Sequence, residues 1–152
     1  MSHLSRLAKL GYSLPEVAKP LASYVPAIRV GDQVWTSGQL PVVEGVLPAT
    51  GKVGADVSIE DAQGYARTAA LNALAAIDSL VGLDSVSRVV KVVGFVSSAP
   101  DFVEQAEVIN GASDFIREVF GEAGTHARSA VGVAVLPKDS PVEVEVIVEL
   151  SK

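Results

Sequence analysis

Residues 142–150, Val-Glu-Val-Glu-Val-Ile-Val-Glu-Leu, alternate strictly. Val142, Val144, Val146, Val148 and Leu150 share one parity, and Glu143, Glu145, Ile147 and Glu149 share the other. A period of two places these sets on opposite faces of a strand. The chain therefore needs a sheet with one buried face, and the remaining residues must cover that face or extend the sheet. Residues 128–135 repeat the pattern, with Ser129, Val131, Val133 and Val135 against Arg128, Ala130, Gly132 and Ala134. Leu136-Pro137-Lys138-Asp139-Ser140-Pro141 separates the two runs. They are predicted to pair as a hairpin with both valine faces under a helical layer. Arg128, Ala130 and Gly132 would then share the outer face with Glu143 and Glu145. A face of one arginine, small residues and glutamates suits a seam between subunits.

The rest of the chain supplies a helical layer and more strands. Ser58–Val81 carries Ile59, Ala62, Ala66, Ala73, Ile77 and Leu80 at spacings suited to one helix face. Ser58 is its expected N-cap and Gly82 its stop. A second helix is predicted from about Pro100 to Phe120, with Phe102, Ala106, Ile109, Ser113, Ile116 and Phe120 as its stripe and Gly121 as its end. Between them, Val86–Ser97 is rich in β-branched residues at both parities, which predicts a strand buried on both faces. Tyr24–Val30 and Gln33–Ser37 flank Gly31-Asp32, a hairpin signal. Leu40–Val57, with two prolines and three glycines, reads as a long loop. Residues 1–20 are predicted as a short helix, Ser2–Leu10, plus an extended connector, and 21–152 as a single domain. Strands, helix, strand, helix and hairpin in that order predict an α+β fold, with two helices on one face of a mixed sheet.

The 152 residues include no cysteine, so disulfides and thiolate chemistry are excluded. Twelve basic against eighteen acidic residues leave a net charge of −6, a field that repels nucleic acid. No apolar run approaches the roughly 18–20 residues of a membrane span, and no signal-peptide core is visible. A cytoplasmic protein without nucleic-acid or membrane partners is expected. His3 and His126 stand alone, without a second histidine at metal-ligand spacing, so no metal site is predicted. No phosphate-binding glycine loop or G-x-S-x-G elbow occurs. Arg128 is the exception among these bland residues. It opens a strand among small neighbours and needs a carboxylate, supplied either by Glu145 or Glu149 of the adjacent strand or by a ligand. Glu143 and Glu145 fit either a solvated charged face or a working carboxylate pair.

Two segments are more specific. Ala127-Arg128-Ser129-Ala130-Val131-Gly132-Val133-Ala134-Val135-Leu136-Pro137, followed by Val142-Glu143-Val144-Glu145, resembles the C-terminal signature of the YjgF/RidA family of reactive-intermediate deaminases, also labelled the endoribonuclease L-PSP family. Trp35-Thr36-Ser37-Gly38-Gln39-Leu40-Pro41 is similar to that family's F-x-S-G-Q-I-P segment. The resemblance covers about residues 22–150. It implies a chorismate-mutase-like fold and a homotrimer whose sheets line a central barrel, with ligand clefts between subunits. It also implies cofactor-free and metal-free hydrolysis of 2-imino and 2-enamino acids to 2-keto acids and ammonia. By the same resemblance Arg128 grips the substrate carboxylate and Glu143 orients or activates water. Tyr24, Ser37, Gly38 and Asn110 then line the ligand site. The chain departs from the family pattern around Tyr24, where the flanking Gly-Pro and Ser-Gln are missing. It also has Ala130 in place of a frequent cysteine and His126 in place of a frequent proline. Two alternatives follow from the same residues: a non-catalytic binder of small carboxylates, and an endoribonuclease or translation inhibitor, which the acidity disfavours.

Overall fold

The alternating run at the C-terminus lies in the middle of a five-stranded sheet. The computed structural model describes residues 1–17, 19 and 23–152. Its strands are β1 (Ala27–Val30), β2 (Gln33–Thr36), β3 (Val86–Ser97), β4 (Ala127–Val133) and β5 (Val142–Leu150), and its helices are α1 (His3–Lys9), α2 (Ile59–Val81) and α3 (Gln105–Phe120). The strand order is β1-β2-β5-β3-β4. Only β3 and β4 run parallel; the other neighbours are antiparallel. The result is a mixed α+β sheet with α2 and α3 on one face. Ala18, Pro20, Leu21 and Ala22 fall outside the described residues. Part of the predicted connector, the boundary drawn after residue 20 and the start of the family-like stretch lie there.

Val142, Val144, Val146 and Val148 are fully buried beneath the helices. Burying each is worth about 1.5–3 kcal/mol, so a one-residue slip that turned all four outward is excluded. The Ser58 hydroxyl accepts from the Asp61 amide and caps α2, and Gly82 ends it at φ +80°. The alanines of α2 let α3 lie close. A Cβ on Gly111 of α3 would sit 2.1 Å from the Gln63 carbonyl oxygen, so only glycine fits there. The Gly31-Asp32 turn joins β1 to β2 as predicted.

The predicted second helix begins late, at Gln105 rather than Pro100. Phe102 packs against Gly54 of the long loop, where a Cβ would meet its ring at 2.8 Å, and is drawn out of the helical stripe. In the N-terminal helix only Leu7 is buried, while Leu4 and Leu10 stay exposed. His3 stacks on Phe120, and Tyr12 meets Phe115 edge-on, so this segment lies along α3. Among the described residues no helix is long and apolar enough to cross a membrane.

The predicted hairpin does not form. β3 lies between β4 and β5. The chain leaves β3, passes through α3 over the sheet and returns in β4 parallel to β3, as a strand–helix–strand connection requires. The faces of β4 are also the reverse of those expected. Arg128, Ala130 and Gly132 pair with Val92, Gly94 and Val96, so they share the helix-side face with those core residues. The cause is what α3 presents above this edge strand. Gln105, Asn110 and Ser113 face it instead of an apolar stripe. A Cβ on Gly132 would stand 2.7 Å from Gln105 Nε2, and Arg128 bonds Asn110. Small or polar residues fit beneath these side chains, and the valines of β4 turn outward. Val131 is 43% exposed.

The opposite sheet face carries no helix. Ile28, Trp35, Ile147, Val93, Phe95 and Val131 lie on it in register with Glu143 and Glu145. Val93 and Phe95 are half-buried, so β3 is covered fully on its helix side only. Trp35 is 47% exposed and Ile28 55%.

Candidate active site

Arg128 is the second residue of β4, where its side chain rises toward α3. Its Nη1 donates to Asn110 Oδ1 at 2.7 Å and to Ser113 Oγ at 3.3 Å. Asn110 and Ser113 stand three residues apart, on one face of α3. The ion pair with Glu145 or Glu149 does not form, because those glutamates lie across the sheet on the other face. No carboxylate among the described residues pairs with Arg128, and its hydrogen bonds to them use one terminal nitrogen. Its remaining N–H groups have no hydrogen-bond partner among the described residues. A cleft of about 240 Å³ opens beside it. Asp114 and Arg117 join Asn110 and Ser113 on the α3 side, and Thr125 and His126 line it ahead of Arg128. Its lining holds no apolar side chain.

Glu143 belongs to a different surface. It is the second residue of β5, opposite Phe95 on the face without helices. Its carboxyl group lies against Gly38, where a Cβ would come within 2.7 Å of Glu143 Cδ. Any larger residue at 38 would displace the carboxylate. Burial, and secondarily the charge of Glu145, push the Glu143 carboxyl above the usual glutamate range. Glu145 is also pushed up by burial, against the lowering effect of Lys91. Ser37 precedes Gly38 and ties β2 to the segment before β1. Its amide donates to the Pro26 carbonyl at 2.8 Å and its hydroxyl to the Val25 carbonyl at 2.6 Å. Tyr24 and Gly38 border a larger cavity of about 900 Å³, closed on one side by Thr68 and Asn72 of α2. Asn72 donates to the carbonyls of Leu40 and Val42 and so holds the loop beyond Gly38.

The sequence-predicted residues therefore separate into two groups. Arg128 and Asn110 meet on the helix side at the β4 edge. Tyr24, Ser37, Gly38 and Glu143 gather near the end of β2 and the start of β5. Arg128 is level with Val92 and Val146, three residues from Glu143 along β5. That offset is about 10 Å along the strand, with two strand spacings of roughly 5 Å across and opposite faces besides. One small molecule cannot touch both in a single protomer.

Of the residues that line this cleft, the sequence points only to Arg128 and Asn110 as site residues. Ser113 belongs to the predicted stripe of the second helix, where it is the only hydroxyl. His126 stands alone as a metal-ligand candidate, but its position two residues before Arg128 gives it a path to the same cleft. Asp114, Arg117 and Thr125 carry no sequence signal. Among the described residues no three histidines or carboxylates converge as metal ligands.

Comparison with known proteins adds relatives to this geometry. Residues 4–150 match the model of the YjgF/chorismate mutase-like endoribonuclease family. The protein TCP17 of Trypanosoma cruzi is 46% identical over 149 residues, covering 97% of this chain and 93% of its own. The 2-iminobutanoate/2-iminopropanoate deaminase of Escherichia coli K12 is 36% identical over 128 residues, covering 84% and 87%. The crystal structure of Atu1372 from Agrobacterium tumefaciens, a protein of unknown function, superposes with a TM-score of 0.90 at 46% identity, over 99% of this chain and 94% of that one.

Proposed function

For a chain that belongs to the YjgF/RidA family, we propose hydrolysis of reactive 2-imino and 2-enamino acids to 2-keto acids and ammonia, in a cleft between subunits of a homotrimer. The observation that carries this reading is the unpaired Arg128. Its guanidinium is anchored through one nitrogen by neutral partners in a polar cleft, and its other donors suit the planar fork of a carboxylate. The family relative that acts on 2-iminobutanoate and 2-iminopropanoate has substrates of this class.

The separation of the two groups within one protomer supports assembly. Arg128 and Asn110 supply a carboxylate clamp, and Tyr24, Ser37, Gly38 and Glu143 supply a water-handling group. The exposed apolar face with Trp35, Ile28 and Val131 is the surface on which copies of the chain pack. In the assembled cleft, Arg128 of one protomer holds the substrate carboxylate and fixes C2 for attack. Glu143 of the neighbour takes a proton from water as the water oxygen bonds to C2 and delivers that proton to the imine nitrogen, giving a carbinolamine. Glu143 then takes the hydroxyl proton as the C=O bond forms and passes it to nitrogen as the C–N bond breaks, so the keto acid and ammonia leave and the carboxylate is restored. A carboxyl pushed up by burial is a stronger base toward water than an exposed glutamate.

Mixing two inactive variants tests both the chemistry and the assembly. Arg128→Ala and Glu143→Gln are expected to be inactive alone against 2-iminobutanoate. Unfolded together and refolded at equal amounts, they should recover about a quarter of wild-type activity. That is the share of interfaces that join an intact Arg128 to an intact Glu143 in randomly mixed rings. No recovery from folded, mixed oligomers would show that the two residues do not act across a subunit boundary. A carboxylate binder without turnover would instead show 2-oxobutanoate binding, lost in Arg128→Ala, with no ammonia released from the imine.

A further inference from the structure

We infer that His126 and Ser113 are positioning residues that orient Arg128, through a hydrogen-bond chain running from the backbone to the guanidinium. The inference rests on the reading of Arg128 as the carboxylate clamp.

The chain has one direction. His126 Nδ1 lies 2.6 Å from the carbonyl oxygen of Gly124, which can only accept, so Nδ1 carries the hydrogen. In the neutral ring this leaves Nε2 as an acceptor. Ser113 Oγ lies 2.9 Å from it and donates its hydrogen there. The Ser113 oxygen then offers its lone pairs to Arg128 Nη1 at 3.3 Å. Asn110 Oδ1, at 2.7 Å, takes the other hydrogen of the same nitrogen. Both hydrogens of Nη1 are thus committed, and the guanidinium plane is set by two points on α3. The edge carrying the other nitrogens turns to the ligand as a fork.

Local structure holds the far end of this chain firmly. Gly124 closes the 3₁₀ turn Gly121–Gly124, and a Cβ there would lie 2.8 Å from the Ile116 carbonyl and 2.9 Å from Arg117 Cα. Its carbonyl is therefore placed by tight packing against α3. Ser113 is buried, so its hydroxyl finds its partners inside the protein. Without His126 the hydroxyl would be free to rotate, and its oxygen would no longer present lone pairs to Arg128 in one orientation. Ser113 meets the guanidinium only through Nη1, and His126 reaches it through Ser113, so both act through Arg128.

Calorimetric binding of 2-oxobutanoate, together with steady-state kinetics on 2-iminobutanoate, tests this. Ser113→Ala and His126→Leu should each weaken binding by about 3–10-fold and raise KM in parallel, with kcat changed less. The double variant should be no worse than either single one, because both break the same chain. His126→Gln, whose Oε1 can take the place of Nε2 as acceptor from Ser113, should recover binding to within about twofold of wild type. Melting curves and light scattering confirm that each variant is folded and assembled. Additive losses in the double variant, or a Gln variant as weak as the Leu variant, would overturn the inference. So would wild-type binding in Ser113→Ala while Arg128→Ala binds nothing, which would leave the clamp itself standing. Unchanged binding in Arg128→Ala would overturn the clamp and this inference together.

Discussion

Arg128 and Glu143 occupy equivalent positions, each the second residue of a valine-rich strand, yet their surroundings differ in kind. Arg128 sits at the sheet edge under α3. Two neutral side chains fix one of its nitrogens, and no carboxylate among the described residues forms an ion pair with it. Glu143 sits on the helix-free face, pressed on Gly38 and close to a second carboxylate, and its ionised form is disfavoured. Under the proposed function, the first environment suits a group that binds a carboxylate, and the second, which disfavours ionisation, suits a group that exchanges a proton. Binding and proton transfer need these opposite treatments of an ionisable side chain.

The largest effects should come from removing either residue, and the two should differ in form. Arg128→Ala loses two charge-assisted hydrogen bonds and the alignment they impose. It should lower kcat/KM for imine hydrolysis by about 10²–10⁴, with 2-oxobutanoate binding lost as well. Arg128→Lys should recover little, since an ammonium cannot reproduce the planar fork. Glu143→Gln should lower kcat by about 10²-fold or more while leaving 2-oxobutanoate binding nearly intact. Equal losses of binding in both variants would erase the distinction between clamp and proton carrier.

Gly38→Ala sharpens the comparison at smaller scale. The new Cβ must push the flexible end of Glu143 aside, so kcat should drop by about tenfold with little change in melting temperature or in ligand binding. An unaltered kcat would show that the position of the Glu143 carboxyl against Gly38 is not used.

The smallest effect concerns stability. A carboxyl whose folded pKa is raised favours folding fully below its unfolded pKa, and that advantage is lost as pH rises through the folded value. Glu143 and Glu145 are both raised, so their ionisation weakens the fold as pH climbs from the ordinary glutamate range toward neutrality. Glu145→Gln should therefore raise the melting temperature at pH 7–8 and leave it nearly unchanged near pH 4. Because the carboxylate keeps access to solvent, the gain should stay below about 1 kcal/mol. Melting curves across that pH range would settle the sign.

Which of these differences could be read without coordinates depends on the range of the interaction. The spacing of Ala62, Ala66 and Ala73, the Ser58 cap and the Gly82 stop marked α2 to within a residue, since capping and amphipathic periodicity are local. Alternation alone placed Val142–Val148 in the core. The candidate residues Arg128, Asn110, Glu143, Gly38, Ser37 and Tyr24 were named through family-like motifs. Their division into two groups could not be read in that way, because the facing of β4 depends on what α3 presents above it.

The sequence by itself determined an α+β chain with a one-sided sheet and two covering helices, because each follows from short-range periodicity and turn chemistry, and its residue strings at 35–41 and 127–145 carried the resemblance to the YjgF/RidA family. Tertiary structure alone decided that β3 separates β4 from β5, and that Arg128 rises toward Asn110 and Ser113 while Val131 turns outward. These outcomes depend on what stands above the edge strand. The polar face of α3 near Gln105, Asn110 and Ser113 left no apolar seat for the valines of β4. It offered hydrogen bonds to the guanidinium and space over Gly132, and that packing between distant segments reversed the face of the strand.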